Sequence, residues 1–244
     1  MLIGGLQKTT LIDFPKHIAC TVFTIGCNFR CPFCHNKDLV SSDLFKKSKQ
    51  PEISEKDFIS FIKKRKKILD GVCITGGEPT LQPDLVTFCR KIKDLKLEVK
   101  LDTNGSHPKI LKKLIQEKLV NFIAMDIKTD FNNYKNATLV SFPISSIKQS
   151  IEIILNSKLD YEFMTTVVPT IHSKDILIKM ARDLKTIANK FSYNPDKINY
   201  ILQAFRPINC FNRNFLKLSP LSTVKMKNLL KSVREILPNT KLRE

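Results

Sequence analysis

Three cysteines within eight residues are the part of this chain whose residue types and spacing most directly imply chemistry. Cys27, Cys31 and Cys34 follow a Cys-x3-Cys-x2-Cys pattern, and no fourth cysteine completes the set within this window. A four-iron, four-sulfur cluster is ordinarily held by four thiolates. Three thiolates leave one iron open to an outside ligand, much as a catalytic zinc site keeps one position open. The triplet therefore predicts an iron–sulfur cluster with one iron available to a cofactor.

The other four cysteines predict a different role, because each occurs singly in an apolar stretch. An isolated cysteine of this kind is usually a small buried side chain. A count of seven with irregular spacing does not indicate a disulfide framework, so we expect a reducing compartment, the cytoplasm. Zinc is a poor alternative for the triplet, since zinc sites favour paired Cys-x2-Cys elements or an added histidine. The four single cysteines are Cys20, Cys73, Cys89 and Cys210.

The formal net charge of +18 raises the question of nucleic acid binding, because clustered Lys and Arg neutralise phosphates. The basic residues are mostly scattered over polar helix faces, however, and form only one dense run, 63–67. We therefore expect a solvated, compositionally biased surface, with docking of an acidic protein as the alternative and nucleic acid disfavoured. The N-terminus lacks the features of a signal peptide, and no run of 18 apolar residues predicts a membrane span.

Strand and helix patterns alternate along the chain. Apolar, β-branched runs predict six strands, at 18–24, 72–75, 97–103, 122–128, 161–168 and 200–205. Amphipathic segments predict six helices, at 54–70, 84–95, 108–118, 144–157, 173–190 and 219–237, and only 130–143 indicates a long irregular loop. Such alternation is typical of an α/β sheet or barrel with parallel strands, in too few units for a standard eightfold barrel. We expect one domain over 1–244, with a core of about 16–207 and a helical C-terminal extension, 208–244.

Polar residues follow the predicted strands, where parallel folds collect their ligands. The adjacent Gly76 and Gly77 either let the backbone approach a ligand or form a tight turn. Glu78 beside them offers an acceptor for an ammonium group. Asp102 and Asp126 either form turns or hold a cation or ribose hydroxyls. Lys128 either balances a carboxylate or lies on the surface. Gln203 and Arg206 face a cofactor or a peptide, unless Arg206 anchors the final helix. In chain order these residues are Gly76, Gly77, Glu78, Asp102, Asn104, Asp126, Lys128, Gln203 and Arg206.

A family resemblance rests on these same motifs. The cysteine spacing with Phe33 before the last cysteine, then His35-Asn36, and then the Gly-Gly-Glu-Pro of 76–79, resembles the radical S-adenosylmethionine (SAM) superfamily. Within it, the segments 5–15, 26–36, 102–105 and 202–207 resemble activating enzymes of glycyl radical enzymes. The resemblance is greatest to the longer type of anaerobic ribonucleoside-triphosphate reductase activating protein, which is related to pyruvate formate-lyase activating enzyme.

The resemblance implies a fold and a cofactor arrangement. The fold would be a partial (β/α)6 TIM-type barrel with helices outside the parallel strands. The three cysteines would ligate a [4Fe-4S] cluster, and S-adenosylmethionine would chelate the fourth iron. The aromatic ring or backbone of Phe33 would lie near the adenine, and residues 76–78 would hold the methionine amino group. Asp102, Asp126 and Lys128 would position the carboxylate and ribose, with a monovalent cation near the two aspartates; His35, Asn104, Gln203 and Arg206 complete the expected cofactor-binding set.

The implied reaction is reductive cleavage of S-adenosylmethionine, yielding a 5′-deoxyadenosyl radical. That radical would take hydrogen from a glycine of a partner glycyl radical enzyme, expected to be anaerobic ribonucleoside-triphosphate reductase. No second cysteine cluster is present, so electrons would come from a flavodoxin or ferredoxin. No catalytic side chain is expected beyond the cluster and cofactor. The alternatives are a radical enzyme acting on a small molecule or a nucleic-acid-related substrate, and a non-catalytic iron–sulfur protein that binds nucleic acid.

Overall fold

The computed structural model of the chain describes residues 1–243. Its strands are β1 Ile3–Thr10, β2 Ala19–Thr24, β3 Gly71–Gly76, β4 Glu98–Thr103, β5 Phe122–Asp126, β6 Asp160–Val167, β7 Tyr200–Ala204 and β8 Lys241–Arg243. Its α-helices are α1 Ser42–Ser48, α2 Glu55–Arg65, α3 Leu85–Asp94, α4 Pro108–Gln116, α5 Tyr134–Thr138, α6 Ile144–Asn156, α7 Lys174–Lys190 and α8 Thr223–Arg234. The strands follow one another in a single open sheet in chain order.

The predicted α/β fold of the partial-barrel type is confirmed. All six predicted strands form, as β2 to β7, and each of the six predicted helices has a counterpart. The helix predicted over 54–70 is shorter, because α2 ends at Arg65 and a turn connects it to β3. The N-terminal end of α2 is as expected, with the Ser54 hydroxyl accepting a hydrogen bond from the Asp57 amide at 3.0 Å.

Two strands and two short helices were not predicted. β1 is antiparallel to β2 with two irregularities in register, and its glycines and polar residues obscure the alternation that marks a strand. β8 has only three residues and pairs with β7 within the segment 208–244, where the sequence pattern indicated helix. α1 and α5 are brief, and α5 lies inside the predicted irregular loop 130–143.

The chain divides into two compact units. Unit 1 comprises residues 1–28 and 36–124, and unit 2 comprises residues 29–35 and 125–244. The predicted single-domain organisation with a core of 16–207 stays a prediction. In the described chain, 1–243, we find no helix with both the length and the apolar character needed to cross a bilayer.

The sheet of unit 1 has one apolar and one polar face. The parallel register of β2, β3 and β4 places Val22, Ile74 and Leu101 in one row, and all three are fully buried. Because successive side chains of a strand point to opposite faces, the neighbouring row on the other face contains Thr21, Cys73 and Lys100. These polar side chains are also buried. A buried polar face is costly unless it is hydrogen-bonded or binds a ligand.

A buried histidine connects the strand ends of unit 2. The Nδ1 atom of His172 accepts a hydrogen bond from the Val168 amide at 2.9 Å, so its other nitrogen carries the proton. That Nε2 group donates to the backbone carbonyl of Lys128, also at 2.9 Å. Burial lowers the pKa of His172 to about 4 despite these backbone hydrogen bonds. A neutral His172 therefore holds the segment after β5 against the segment after β6.

This histidine predicts an acid-sensitive stability. Since the unfolded histidine has a pKa of about 6.5, the unfolded chain binds a proton between about pH 6.5 and pH 4 that the folded chain does not. The stabilisation is thus complete above pH 6.5 and is lost as the pH falls toward 4. We expect the wild type to lose about 3 kcal/mol more unfolding free energy between pH 7 and pH 4 than His172→Asn, measured by urea unfolding. If the unfolding free energies of wild type and His172→Asn changed with pH in parallel, a neutral, buried His172 would be contradicted.

Candidate cofactor site

Backbone hydrogen bonds fix the chain where it enters the cysteine triplet. The amide of Gly26 donates to the Leu39 carbonyl at 2.8 Å, and the amide of Cys27 donates to the Val40 carbonyl at 3.0 Å. From the end of β3, the amide of Glu78 donates to the Gly26 carbonyl at 2.8 Å. Gly26 has φ +103°, a conformation that glycine adopts without strain. The first cysteine of the triplet is therefore anchored within unit 1 by its neighbours on two sides.

The glycine pair at 76–77 permits this close approach. A Cβ atom on Gly76, which has φ +118°, would lie 2.2 Å from the Thr24 amide nitrogen. A Cβ atom on Gly77 would lie 2.1 Å from the Gly26 carbonyl oxygen. Real Cβ atoms do not come so near to backbone atoms, so both positions require glycine for packing. Their predicted contact with a cofactor stays a prediction, and the two glycines have a structural role in any case.

Glu78 is a buried acceptor that joins the ends of β3 and β4. Its carboxylate accepts hydrogen bonds from the Thr103 hydroxyl at 2.7 Å and from the Asn104 amide at 2.6 Å. It also accepts from both the amide and the hydroxyl of Thr80. Burial raises the pKa of Glu78, whereas these four donors favour the ionised form. Three of these donors bind Oε1 and one binds Oε2, so the predicted contact of Glu78 with a ligand amino group stays a prediction.

The predicted binding residue Asn104 also supports the cysteine loop. Its side-chain nitrogen donates to the Asn28 side chain at 2.9 Å, one residue after Cys27, and its side-chain oxygen accepts from the Ser106 amide. A second amide, that of Asn36, donates to the Gly76 carbonyl at 3.2 Å. The sequence pattern did not indicate these amide contacts. The only sign of these contacts in the sequence was that asparagines lie beside the motifs.

Asp102 has a lysine partner that sequence reasoning missed. The ammonium group of Lys100 donates to the Asp102 carboxylate at 2.5 Å, and the Cys73 thiol donates to the same carboxylate at 3.6 Å. Lys100 itself is only 4% exposed. A signal was available, because Lys100 lies between the apolar residues Val99 and Leu101 in the middle of β4. A lysine in such a position needs either solvent or a charged partner.

In unit 2, the second half of the triplet is hydrogen-bonded to a distant segment. The Phe211 amide donates to the Cys34 carbonyl at 3.0 Å, and the Asn212 amide donates to the Pro32 carbonyl at 2.9 Å. Within the triplet, the Cys34 amide donates to the Cys31 carbonyl at 3.0 Å, which forms a tight turn. These contacts fix the backbone between the second and third cysteines.

The remaining predicted residues of unit 2 have structural contacts of their own. His35 donates from Nε2 to the Arg206 carbonyl at 2.7 Å, and its own carbonyl accepts from the Asn209 side chain at 2.9 Å. Phe33 is almost entirely buried. Gln203 is half-buried in β7, and the side chain of Arg206 is exposed. The cofactor contacts of these four residues stay predictions.

Lys128 is a mostly buried cation beside the cysteines of unit 2. Its ammonium group donates to the Asp126 carboxylate at 2.8 Å, and its side chain is 17% exposed. Burial by itself would lower the pKa of Lys128, but Asp126 and Cys31 hold that pKa above its usual range. The Cys34 sulfur contributes in the same direction. Lys128 therefore stays charged, within electrostatic reach of two of the three triplet cysteines.

The chemistry of the thiols fits a cluster on the triplet. Burial raises the pKa of both Cys20 and Cys89 to about 12, so these scattered cysteines are protonated thiols at neutral pH. Cys27 and Cys34, by contrast, are partly exposed, and none of the seven cysteines forms a disulfide. Within residues 1–243, no group of three His, Cys, Asp or Glu side chains is arranged to hold one metal ion. Cluster ligands bind different irons, so they need not converge in that way.

The monovalent cation predicted near Asp102 and Asp126 stays a prediction. Asp102 is paired with Lys100 in unit 1, and Asp126 is paired with Lys128 in unit 2. Each carboxylate thus has an ammonium partner from its own strand region.

Glu78 provides a test of how the strand ends are joined. Glu78→Gln puts an amide NH2 group among donors that need an acceptor, so we expect the unfolding free energy to fall by about 1–3 kcal/mol without any cofactor present. Urea unfolding of the purified chain would measure this loss. The control is Glu52→Gln at an exposed site, which should change stability by no more than about 0.5 kcal/mol. Equal stability of the two variants would show that the Glu78 carboxylate is dispensable for the fold.

Comparison with known proteins places these features in a family. The model of the radical SAM superfamily matches residues 21–184, which include the triplet and the ends of β3, β4 and β5. A relative from Methanocaldococcus jannaschii, provisionally named a glycyl-radical enzyme activating enzyme, is 28% identical over 99% of this chain and 95% of its own length. The pyruvate formate-lyase-activating enzyme of Clostridium pasteurianum is 26% identical over 77% of each chain.

Solved structures show the same fold at low sequence identity. Streptococcus suis SuiB bound to the precursor peptide SuiA superposes with a TM-score of 0.68 at 14% identity, covering 92% of this chain and 48% of SuiB. QueE from Escherichia coli superposes with a TM-score of 0.55 at 16% identity, covering 99% of this chain and 92% of QueE. With the family model matching well over half of its residues, the chain belongs to the radical SAM superfamily.

Proposed function

We propose that this protein is an activating enzyme for a glycyl radical enzyme. The observation that carries the proposal is the end-to-end similarity to a relative named as such an activator, which spans 99% of this chain. A shared cofactor domain would align only over the common core, whereas here the alignment also includes β1 and the segment after β7. The similarity to pyruvate formate-lyase-activating enzymes supports the same activity.

The thiolates of Cys27, Cys31 and Cys34 would hold a [4Fe-4S] cluster. When bound, the cluster and S-adenosylmethionine supply reductive cleavage of the sulfonium and thus a 5′-deoxyadenosyl radical. The protein's part is to hold and orient these groups. Glu78 fixes Thr103 and Asn104 at the end of β4, and Lys128 provides a permanent positive charge beside the cysteine sulfurs.

The substrate would be a backbone glycine in a loop of a partner protein. For such a substrate the enzyme needs an exposed cofactor site and no general acid or base, because the transferred species is a hydrogen atom. We propose anaerobic ribonucleoside-triphosphate reductase as the partner, and a flavodoxin or ferredoxin as the electron donor. The basic surface, with a net charge of +18, suits docking of an acidic donor protein. The cytoplasmic location stays a prediction.

Cofactor cleavage is the first test of this function. The protein is reconstituted anaerobically with iron and sulfide, reduced with dithionite and incubated with S-adenosylmethionine. We expect 5′-deoxyadenosine and methionine in equal amounts, measured by chromatography. Cys31→Ala should lose both the cluster absorbance and the products, because one ligand is missing. The matched control is the buried Cys89→Ala, which should keep both. An intact cluster that yields no 5′-deoxyadenosine would refute the catalytic proposal.

Partner identity requires a separate measurement. Candidate glycyl radical enzymes are added to the reduced enzyme with S-adenosylmethionine, and electron paramagnetic resonance spectra are recorded. A glycine-centred doublet with anaerobic ribonucleoside-triphosphate reductase is the expected result. A doublet only with another enzyme would reassign the partner. Active cofactor cleavage with no doublet from any candidate would favour a small-molecule or nucleic-acid-related substrate.

Lys128 should influence the cluster through its charge. Removal of a nearby cation makes addition of an electron less favourable, so Lys128→Met should lower the midpoint reduction potential of the reconstituted cluster. The potential is measured by redox titration followed by electron paramagnetic resonance. Lys148→Met, which removes an exposed lysine of the same unit, serves as the control and should leave the potential unchanged. Identical reduction potentials for all three proteins would show that the charge of Lys128 does not act on the cluster.

A further inference from the structure

We infer that Lys100 is a built-in cation of the cofactor site, so that this enzyme takes no metal cation at Asp102. The inference deepens the proposed function, because Asp102 belongs to the predicted cofactor-binding residues. Its physical basis, the charge balance on the polar face of unit 1, does not depend on that function. It replaces the monovalent cation that the sequence predicted at this carboxylate.

Strand register brings Lys100 and Asp102 onto the same face. The two residues are separated by one position of β4, and side chains two apart in a strand point the same way. Cys73 lies opposite Lys100 in the parallel pair of β3 and β4, and its thiol reaches the same aspartate. The ammonium group and the thiol thus approach the two different oxygens of the Asp102 carboxylate.

The position of Lys100 is unusual for a lysine. Its side chain is 5% exposed, whereas lysines are seldom buried without a charged partner. It also lies 5.7 Å from the centre of the Phe122 ring, a second favourable contact for a cation. A buried ammonium group is costly to desolvate and serves poorly as a mere structural element. Its contact with a predicted cofactor residue points to a functional charge.

The surrounding charges fit this role. Asp13 accepts a hydrogen bond from Thr21 at 2.6 Å, and it acts electrostatically on Cys73, so a second carboxylate belongs to the same face. Burial and the Asp102 charge raise the pKa of Cys73 well above its ordinary value, which keeps this thiol neutral. Two carboxylates and one ammonium group leave a net negative face. That sign suits S-adenosylmethionine, whose sulfonium and amino groups outweigh its single carboxylate.

A metal cation beside Asp102 would conflict with this arrangement. It would lie next to the Lys100 ammonium group, and like charges at such short range in a buried site repel strongly. Unit 2 repeats the pattern, because Lys128 pairs with Asp126 two residues away on the chain. Two separate lysine–aspartate pairs with the same spacing indicate that the chain supplies its own cations.

Thermal unfolding of the wild-type full-length chain is the first test. Tm is measured with and without iron–sulfide reconstitution, in sodium, potassium or choline chloride at equal ionic strength. We expect the same Tm in all three salts, because no site for a small cation is present. A saturable rise in Tm with sodium or potassium but not choline would overturn the inference. Since this test needs no turnover, it stands even if the proposed function fails.

The second test makes the site dependent on a small cation. Lys100→Ala leaves the partly exposed Asp102 carboxylate without its ammonium partner, and we expect Tm in choline chloride to fall by about 3–8 °C. Sodium or potassium should restore part of this loss by occupying the space. The control Lys91→Ala breaks the exposed ion pair with Glu55 and should show no preference among the salts. Absence of any cation preference in Lys100→Ala would count against the inference.

A third measurement does not depend on the folding of Lys100→Ala. The dissociation constant of S-adenosylmethionine is measured for the reconstituted wild type in the same salts. Because Lys100 supplies the positive charge, the wild type should bind the cofactor equally well in choline and potassium, within about twofold. A requirement of the wild type for potassium or sodium would contradict the inference. If the cofactor binds without cation dependence but no glycyl radical forms, the proposed function fails while the role of Lys100 stands.

Discussion

The candidate site depends on one steric constraint, the approach of two backbone segments at the ends of β2 and β3. The turn at Gly76 and Gly77 comes so near to Thr24 and Gly26 that no side chain fits between them. Because the backbones are this close, the amides after β3 can hydrogen-bond to the carbonyls that precede the first cysteine. The position of Cys27 thus follows from the absence of two Cβ atoms.

Buried charge is the second organising element, and here each group has a partner. Glu78 is surrounded by donors, whereas Asp102 and Asp126 are each matched by a lysine of their own unit. Buried ions are retained only when their partners compensate for lost hydration. The result is a set of polar and charged groups that have protein partners before any ligand arrives. Preorganised charges of this kind need not rearrange when a cofactor binds.

Several polar side chains near the cysteine segment hold chain segments together. His172 and His35 both hydrogen-bond to backbone carbonyls, so each is used to hold chain segments. The side chain of Asn104 likewise hydrogen-bonds to the Asn28 side chain and the Ser106 amide. Several residues predicted to touch the cofactor are thus also supports for the cysteine segment. In such a site, a substitution changes geometry and ligand contact together.

The sequence by itself determined the cysteine triplet, the six central strands and the long helices, because contiguous spacing and local periodicity encode each of them. It could not reveal β1 or β8, whose patterns are too irregular or too short. It also missed the partner of Asp102, and the contact of Cys34 with Phe211, because strand pairing and side-chain packing join residues that no local pattern relates. Only the tertiary structure decided which polar groups at the strand ends have partners. The physical reason is that burial removes water, and each group must then find its counter-charge or hydrogen bond in a neighbouring element.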